Sequence, residues 1–447
     1  MSTIQIRSRE RDAILQSLRA GVVPRAGQQH IQVGRKYEVT ALMADLERIA
    51  DGGSGIRFVI GEYGSGKTFF LYLIRAIALE KRLVTVHADL TPDRRLQSTG
   101  GQARALYQEL IRNMSTRSKA DGGALPGVLE RFVTTAIAAA GERGVKPDAV
   151  IRERLASLTE MVNGYDFAEV IAAYWKGHDT GNEALKSNAV RWLRGEFTTR
   201  TDARAALGVR TIVDDANTYD QLKLLARFIR LAGYAGTVVC CDELVNLYKL
   251  ANTKARNANY EQILRILNDC LQGTAVGLGF LLGGTPEFLL DTRRGLYSYP
   301  ALQSRLAENR FAKDGLTDYT GTVLRLTNLT PEDMFVLLGK LRHVYASGDA
   351  DRYLIPDEGL QAFMRHCSER IGDAYFRTPR NTITAFVNLL AVLEQNPTAS
   401  WQQLLGQVQV AQDGNPDLRP LNGDEEGDGP SVQGADSDDD DLATFKL

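Results

Sequence analysis

The chain has 447 residues, 44% of them hydrophobic and 24% charged, with a formal net charge of −2. Such a composition belongs to a globular protein large enough for two or three packed units. No stretch approaches the roughly 20 uninterrupted apolar residues that span a bilayer, and the start MSTIQIRSRERDAILQ has no apolar signal region, so a cytoplasmic protein is expected. Four cysteines without a CxxC pair and five scattered histidines give no expectation of structural zinc or a disulfide framework.

In chain order, residues 1–27 read as a short amphipathic helical segment ended by Gly21 and Pro24. A Gly-Arg turn then precedes apolar residues at helical spacing (Val39, Leu42, Met43, Leu46, Ile49). GIRFVIG (55–61) is a first strand, and TFFLYLIRAIALEK (68–81) is a helix apolar on most sides. Further strands are expected at 83–90, 236–244, 275–288 and 321–330. Helical patterns between them predict an α/β protein whose five-stranded parallel sheet is covered on both faces. The core is assigned to 28–95 and 236–328. The 146 residues between the second and third strands are too many for one crossover, so 96–235 is read as a large α-helical insertion. Residues 329–410 read as a small helical bundle with good N-caps.

From Ala411 to the end, eleven acidic residues face only Arg419 and Lys446. This stretch of 411–447 therefore carries −9 and the remainder +7. Rich in Asp, Gly and Pro, it is expected to be disordered, either as a plain solubilising tail or as one whose apolar end docks on a partner.

Chemistry concentrates at Gly61, Glu62, Tyr63, Gly64, Ser65, Gly66, Lys67 and Thr68, which fit GxxxxGK followed by Ser or Thr. Such a loop turns successive backbone N–H groups toward phosphate oxygens, and the next helix offers its positive end to the same anion. Lys67 would reach the β- and γ-phosphates of ATP, and the Thr68 hydroxyl would ligate Mg²⁺. TVVCCDE ends a strand in two carboxylates: Asp242 for the magnesium shell and Glu243 to activate water. Thr285, at the end of the fourth strand, would touch the water or γ-phosphate, or else simply cap the next helix. Arg305, with Arg310 in reserve, is placed to reach a neighbouring subunit's nucleotide in a homo-oligomer. Arg377 and Arg380 open a helix where a cation opposes the helix dipole and calls for an anion, and Arg380 is favoured as a second γ-phosphate sensor. Lys249, Lys254 and Arg256 form the best candidate surface for non-specific DNA contact, the alternative being a solvated helix end.

VGRKYE, the phosphate loop, CCDE, GTPEF, SRL and TPRN together resemble the AAA+ ATPases of the origin-recognition and clamp-loader-like branch. More narrowly, GVVPRAGQQHIQVGR, GEYGSGKTFF, WLRGE, GYAGTVVCCDELVNLYK and GTPEF resemble the BrxD-type ATP-binding proteins of BREX phage-defence systems, over about Ile14 to Asn388. The resemblance implies that Gly34 and Arg35 lie near the adenine and that the C-terminal bundle acts as a lid. It also implies that the residues above take AAA+ roles. No winged-helix DNA reader has room after Leu393, so DNA binding is not inherited from that module.

Two functions are open at this level. One is a multimeric ATP-hydrolysing machine that remodels or loads something on DNA during phage defence. The other is a slow nucleotide-dependent switch that recruits a helicase, methylase or other defence protein through the insertion or tail. A P-loop kinase or transferase is a weaker third, since no acceptor pocket is legible.

Overall fold

The computed structural model describes residues 6–311 and 317–410, and the acidic tail falls outside them. Five strands, β1 (Ser54–Gly61), β2 (Val84–Asp89), β3 (Thr237–Asp242), β4 (Leu278–Gly284) and β5 (Val323–Leu326), form one sheet in the order β2-β3-β4-β1-β5. Every pairing is parallel. Strands β1, β3 and β4 are buried along their whole length. That burial is why they read as apolar runs and not as alternating patterns.

Alternate residues of these strands supply two cores. Val59, Val238, Cys240, Leu281 and Leu324 pack with Leu42, Leu46 and Ile49 of the Lys36–Ala50 helix and with Phe70 and Ile74 of the Lys67–Glu80 helix. Ile56, Phe58, Ile60, Val239, Cys241 and Phe280 face the other way. Cys240 and Cys241 thus point to opposite faces, and all four cysteines are free and buried.

One charge interrupts β1. Arg57 Nε donates to Asp45 Oδ2 at 2.5 Å, and its Nη1 reaches the Gly321 carbonyl. Arg48 holds the other Asp45 oxygen at 2.6 Å. Arg57 is 7% exposed and Asp45 4%, so the pair is tolerated only because each polar group has a partner.

Between β2 and β3 the chain makes seven helices, from Gln102–Arg112 to Thr218–Leu231. Four of them lie on patterns legible in the sequence. Leu125–Arg143, Pro147–Thr159 and Arg200–Leu207 do not, the first because alanines and glycines dilute its apolar stripe. These helices share one continuous core with the sheet. Phe228 stands at its centre, with ring centroids 5.0 Å from Phe132 and 6.0 Å from Phe167, which in turn meets Trp192 at 6.2 Å. Asp215 fixes the start of the Gln102–Arg112 helix by accepting from Gly101 N at 2.6 Å and Arg104 N at 2.8 Å.

After β5 come the helices Pro331–Tyr345, Asp357–Ile371 and Arg380–Gln395, the first opened by a capping box between Thr330 and Asp333. Their core holds Met334, Leu338, Phe363 and Phe386, and it also contains Ile14 and Leu15 from the other end of the chain. The Ser8–Arg19 helix is bound there through Thr384 Oγ1, which donates to the Leu18 carbonyl at 2.8 Å, and Arg11 Nε, which donates to the Tyr345 carbonyl at 2.9 Å. The N-terminal segment is therefore part of the C-terminal helical group.

Because Phe228 belongs to a core shared by sheet and helices, Phe228→Ala should cost about 3–5 kcal/mol. Urea unfolding should show one transition at a lower midpoint by both circular dichroism and tryptophan fluorescence.

Candidate nucleotide site

The carboxyl ends of the parallel strands meet at one edge of the sheet, the place where such folds bind ligands. Gly61 ends β1 and leads through residues 62–66 into the Lys67–Glu80 helix. Gly64 has φ +79°, and a Cβ there would fall 2.9 Å from Thr378 Cα and 3.0 Å from the Arg377 carbonyl. Only glycine lets the loop pass so close to the C-terminal helices.

Lys67 Nζ donates to the carbonyls of Gly61 and Glu62, both at 2.9 Å, and so lies across the loop. Burial pulls the Lys67 ammonium below its ordinary pKa, while Asp242, Glu243, Glu287 and Glu62 push back. An anion in the loop would supply the stronger partner that this half-desolvated cation lacks. Thr68 Oγ1 donates to Asp242 Oδ2 at 2.7 Å, which brings the loop and the end of β3 together across 174 positions of sequence.

Glu243 has φ +59°, a left-handed conformation that costs an ordinary residue about 1–3 kcal/mol. Its N–H donates to Asp242 Oδ1 at 2.9 Å, and its exposed side chain faces a cavity of about 960 Å³ that Thr68 also lines. Asp89, which ends β2 in register with Asp242, lines the same cavity. Burial raises the Asp89 carboxyl, and the adjacent Asp242 adds to that. Tyr72, one turn beyond Thr68, and Arg380 complete this wall. Arg380 also lies over the Tyr63 ring at 5.7 Å.

Other residues singled out in the sequence stand elsewhere. Arg35, with φ +58°, donates to the Ser65 carbonyl at 2.6 Å and the Thr327 carbonyl at 2.8 Å, tying the loop to the exit of β5. Gly34 sits beside Asp333. Thr285 caps the Pro286–Leu290 helix by accepting from Phe288 N at 3.4 Å. Arg305 is exposed, donating to Asn268 Oδ1 at 2.8 Å and the Ala301 carbonyl at 2.9 Å, and Arg310 is exposed beyond it. Arg377 pairs with Asp373 at 3.7 Å.

The expected basic surface needs correction at Arg256. That side chain is 6% exposed and closes the turn before its helix by donating to the Leu250 carbonyl at 2.8 Å. A phosphate cannot reach it, which leaves Lys254 exposed and Lys249 half-buried. Sequence reasoning also passed over Asp89, an acid that ends β2 and meets Asp242 only through the pairing of β2 with β3.

The family described as BREX system ATP-binding protein BrxC/D matches residues 6–409. The chain belongs to this family. As a BrxC/D protein it is an ATP-binding component of a phage-defence system. No curated protein matches the chain. Among the described residues of this BrxC/D chain no helix is long and apolar enough to cross a membrane.

His87 on β2 gives the BrxC/D fold a pH signature. Burial first, then the Arg75 and Arg25 guanidinia, push its imidazole from 6.5 down to about 3. The unfolded chain takes up this proton near pH 6.5, whereas the folded chain does not until about pH 3. Stability from this residue is thus full above pH 6.5 and is lost as pH falls toward 3. His87→Gln should flatten the acid side of a stability–pH curve across that window, as read by urea midpoints.

Proposed function

We propose that this BrxC/D protein hydrolyses ATP at the loop 61–68, as an AAA+ ATPase with 96–235 as its helical insertion and 329–410 as its lid. The observation that carries the reading is the Thr68–Asp242 hydrogen bond beside a cavity that Glu243 and Arg380 also line. In this reading Lys67 exchanges its two carbonyl partners for phosphate oxygens. The Glu243 carboxylate takes a proton from the attacking water, and Arg380 senses the γ-phosphate from the lid.

A hard cation suits the donor set, since the Thr68 hydroxyl and the Asp242 carboxylate are oxygen donors already in contact. Thr68 and Asp242 would hold Mg²⁺, which when bound neutralises charge on the β- and γ-phosphates. Thr285 remains a cap that can still face the water. Arg305 acts on a neighbour's nucleotide in a homo-oligomer, and Lys249 and Lys254 give a non-specific contact to DNA. The work done would be remodelling or loading on DNA in phage defence.

A slow switch that recruits a helicase or methylase is the second reading. It is favoured by the contacts that hold Arg305 on its own subunit, to Asn268 and Ala301.

Steady-state turnover with and without double-stranded DNA tests both. Glu243→Gln should lower ATP hydrolysis by about 10²–10⁴-fold with nucleotide binding kept, and Lys67→Ala should abolish binding. Arg305→Ala should collapse turnover of the assembled protein without loss of binding. Unchanged turnover in that variant would favour the switch, and a wild-type rate that does not depend on Glu243 would sink the hydrolytic assignment.

A further inference from the structure

The cavity beside Thr68 and Glu243 has a second wall, built by the N-terminal segment. Arg25 stands in the turn between the Ser8–Arg19 and Gln28–Ile31 helices and lines the cavity together with Thr68, Tyr72, Asp89, Glu243 and Arg380. The turn that carries it is firmly built. Val22 N donates to the Ser17 carbonyl at 2.9 Å, and Gln28, 3% exposed, donates through Nε2 to the Pro24 carbonyl at 2.8 Å. Gly27, at φ +78°, packs so closely that a Cβ would fall 2.7 Å from Ile14 Cδ1. Ile14 is itself at 0% exposure in the core of the C-terminal helical group. Arg25 is thus held over the site by the same body that carries Arg380.

Its own side chain is exposed, and among the described residues no hydrogen bond or ion pair engages it. Asp89 and His87 feel its charge. The nearby Arg75, on the helix that follows the phosphate loop, lies over Tyr72 with its Nε buried and unpartnered. Arg25 and Arg380 both line the cavity that also opens on Thr68, and two guanidinium groups facing one space make a place for an anion.

We propose that Arg25 is a phosphate contact supplied by the subunit's own N-terminal segment, binding the terminal phosphate of a nucleoside triphosphate and absent from the diphosphate complex. This rests on the reading that the loop 61–68 holds ATP. The terminal phosphate then fastens the N-terminal segment and the C-terminal helices to the sheet, and its departure releases them. A charge-assisted hydrogen bond of this kind discriminates by about tenfold or more.

The test is direct titration of the full-length chain with a slowly hydrolysed ATP analogue and with ADP, comparing wild type, Arg25→Ala and Arg25→Lys. Arg25→Ala should weaken the triphosphate analogue by about tenfold or more and shift ADP by less than about threefold. Arg25→Lys should recover part of the loss, because it keeps the charge without the fork. The melting temperature without nucleotide should not move. Equal loss for both nucleotides, or no change for either, overturns the proposal and leaves the ATP reading standing. Wild-type protein that binds neither nucleotide overturns the ATP reading itself.

Discussion

The hydrogen bond from Thr68 to Asp242 is the constraint on which the site depends. It joins the start of the helix after β1 to the end of β3, two strands that β4 separates in the parallel sheet. Parallel order in turn demands crossovers on the faces, and these bury both sides of every central strand. The same arrangement sends the chain ends of β2 and β3 to one edge, where Asp89 and Asp242 stand side by side. Local geometry then completes the site: the left-handed turn at Glu243 directs its carboxylate outward while Asp242 stays buried.

The long helical stretch between β2 and β3 is not an appendage on this frame. Its aromatic residues continue the core that Phe58, Val86 and Phe280 begin on the sheet, so packing density passes without interruption from one to the other. On the opposite face the core is built with the Lys36–Ala50 and Lys67–Glu80 helices, and there the buried Arg57–Asp45 pair fixes the Lys36–Ala50 helix against β1. Removing either partner would strand the other charge in the core, at a cost of about 3–5 kcal/mol.

The N-terminal helix joins the C-terminal helices through a common core, although more than 300 positions of sequence separate them. Gly64 is the point where this group meets the phosphate loop, and a side chain at that position would strike Thr378. Cations from both parts of the group, Arg380 and Arg25, reach the cavity next to Thr68.

Sequence alone determined the five strands, the phosphate loop, the acids after β3 and the helices flanking them. Those signals are local: apolar runs, glycine spacing and capping residues act within a few positions. The likeness to BrxD-type proteins was also legible, because its motifs sit in contiguous segments. What only the tertiary structure decided was which side chains share a space. Arg256 looked basic and exposed, yet the turn at Leu250 folds it inward. Arg57 is a charge inside a buried strand, and Asp45 neutralises it from the preceding helix. Arg25 and Asp89 lay in a loop and at a strand end with nothing local to join them to Thr68. The burial of a charge and the meeting of distant residues are set by the packing of whole helices, which no short window of sequence encodes.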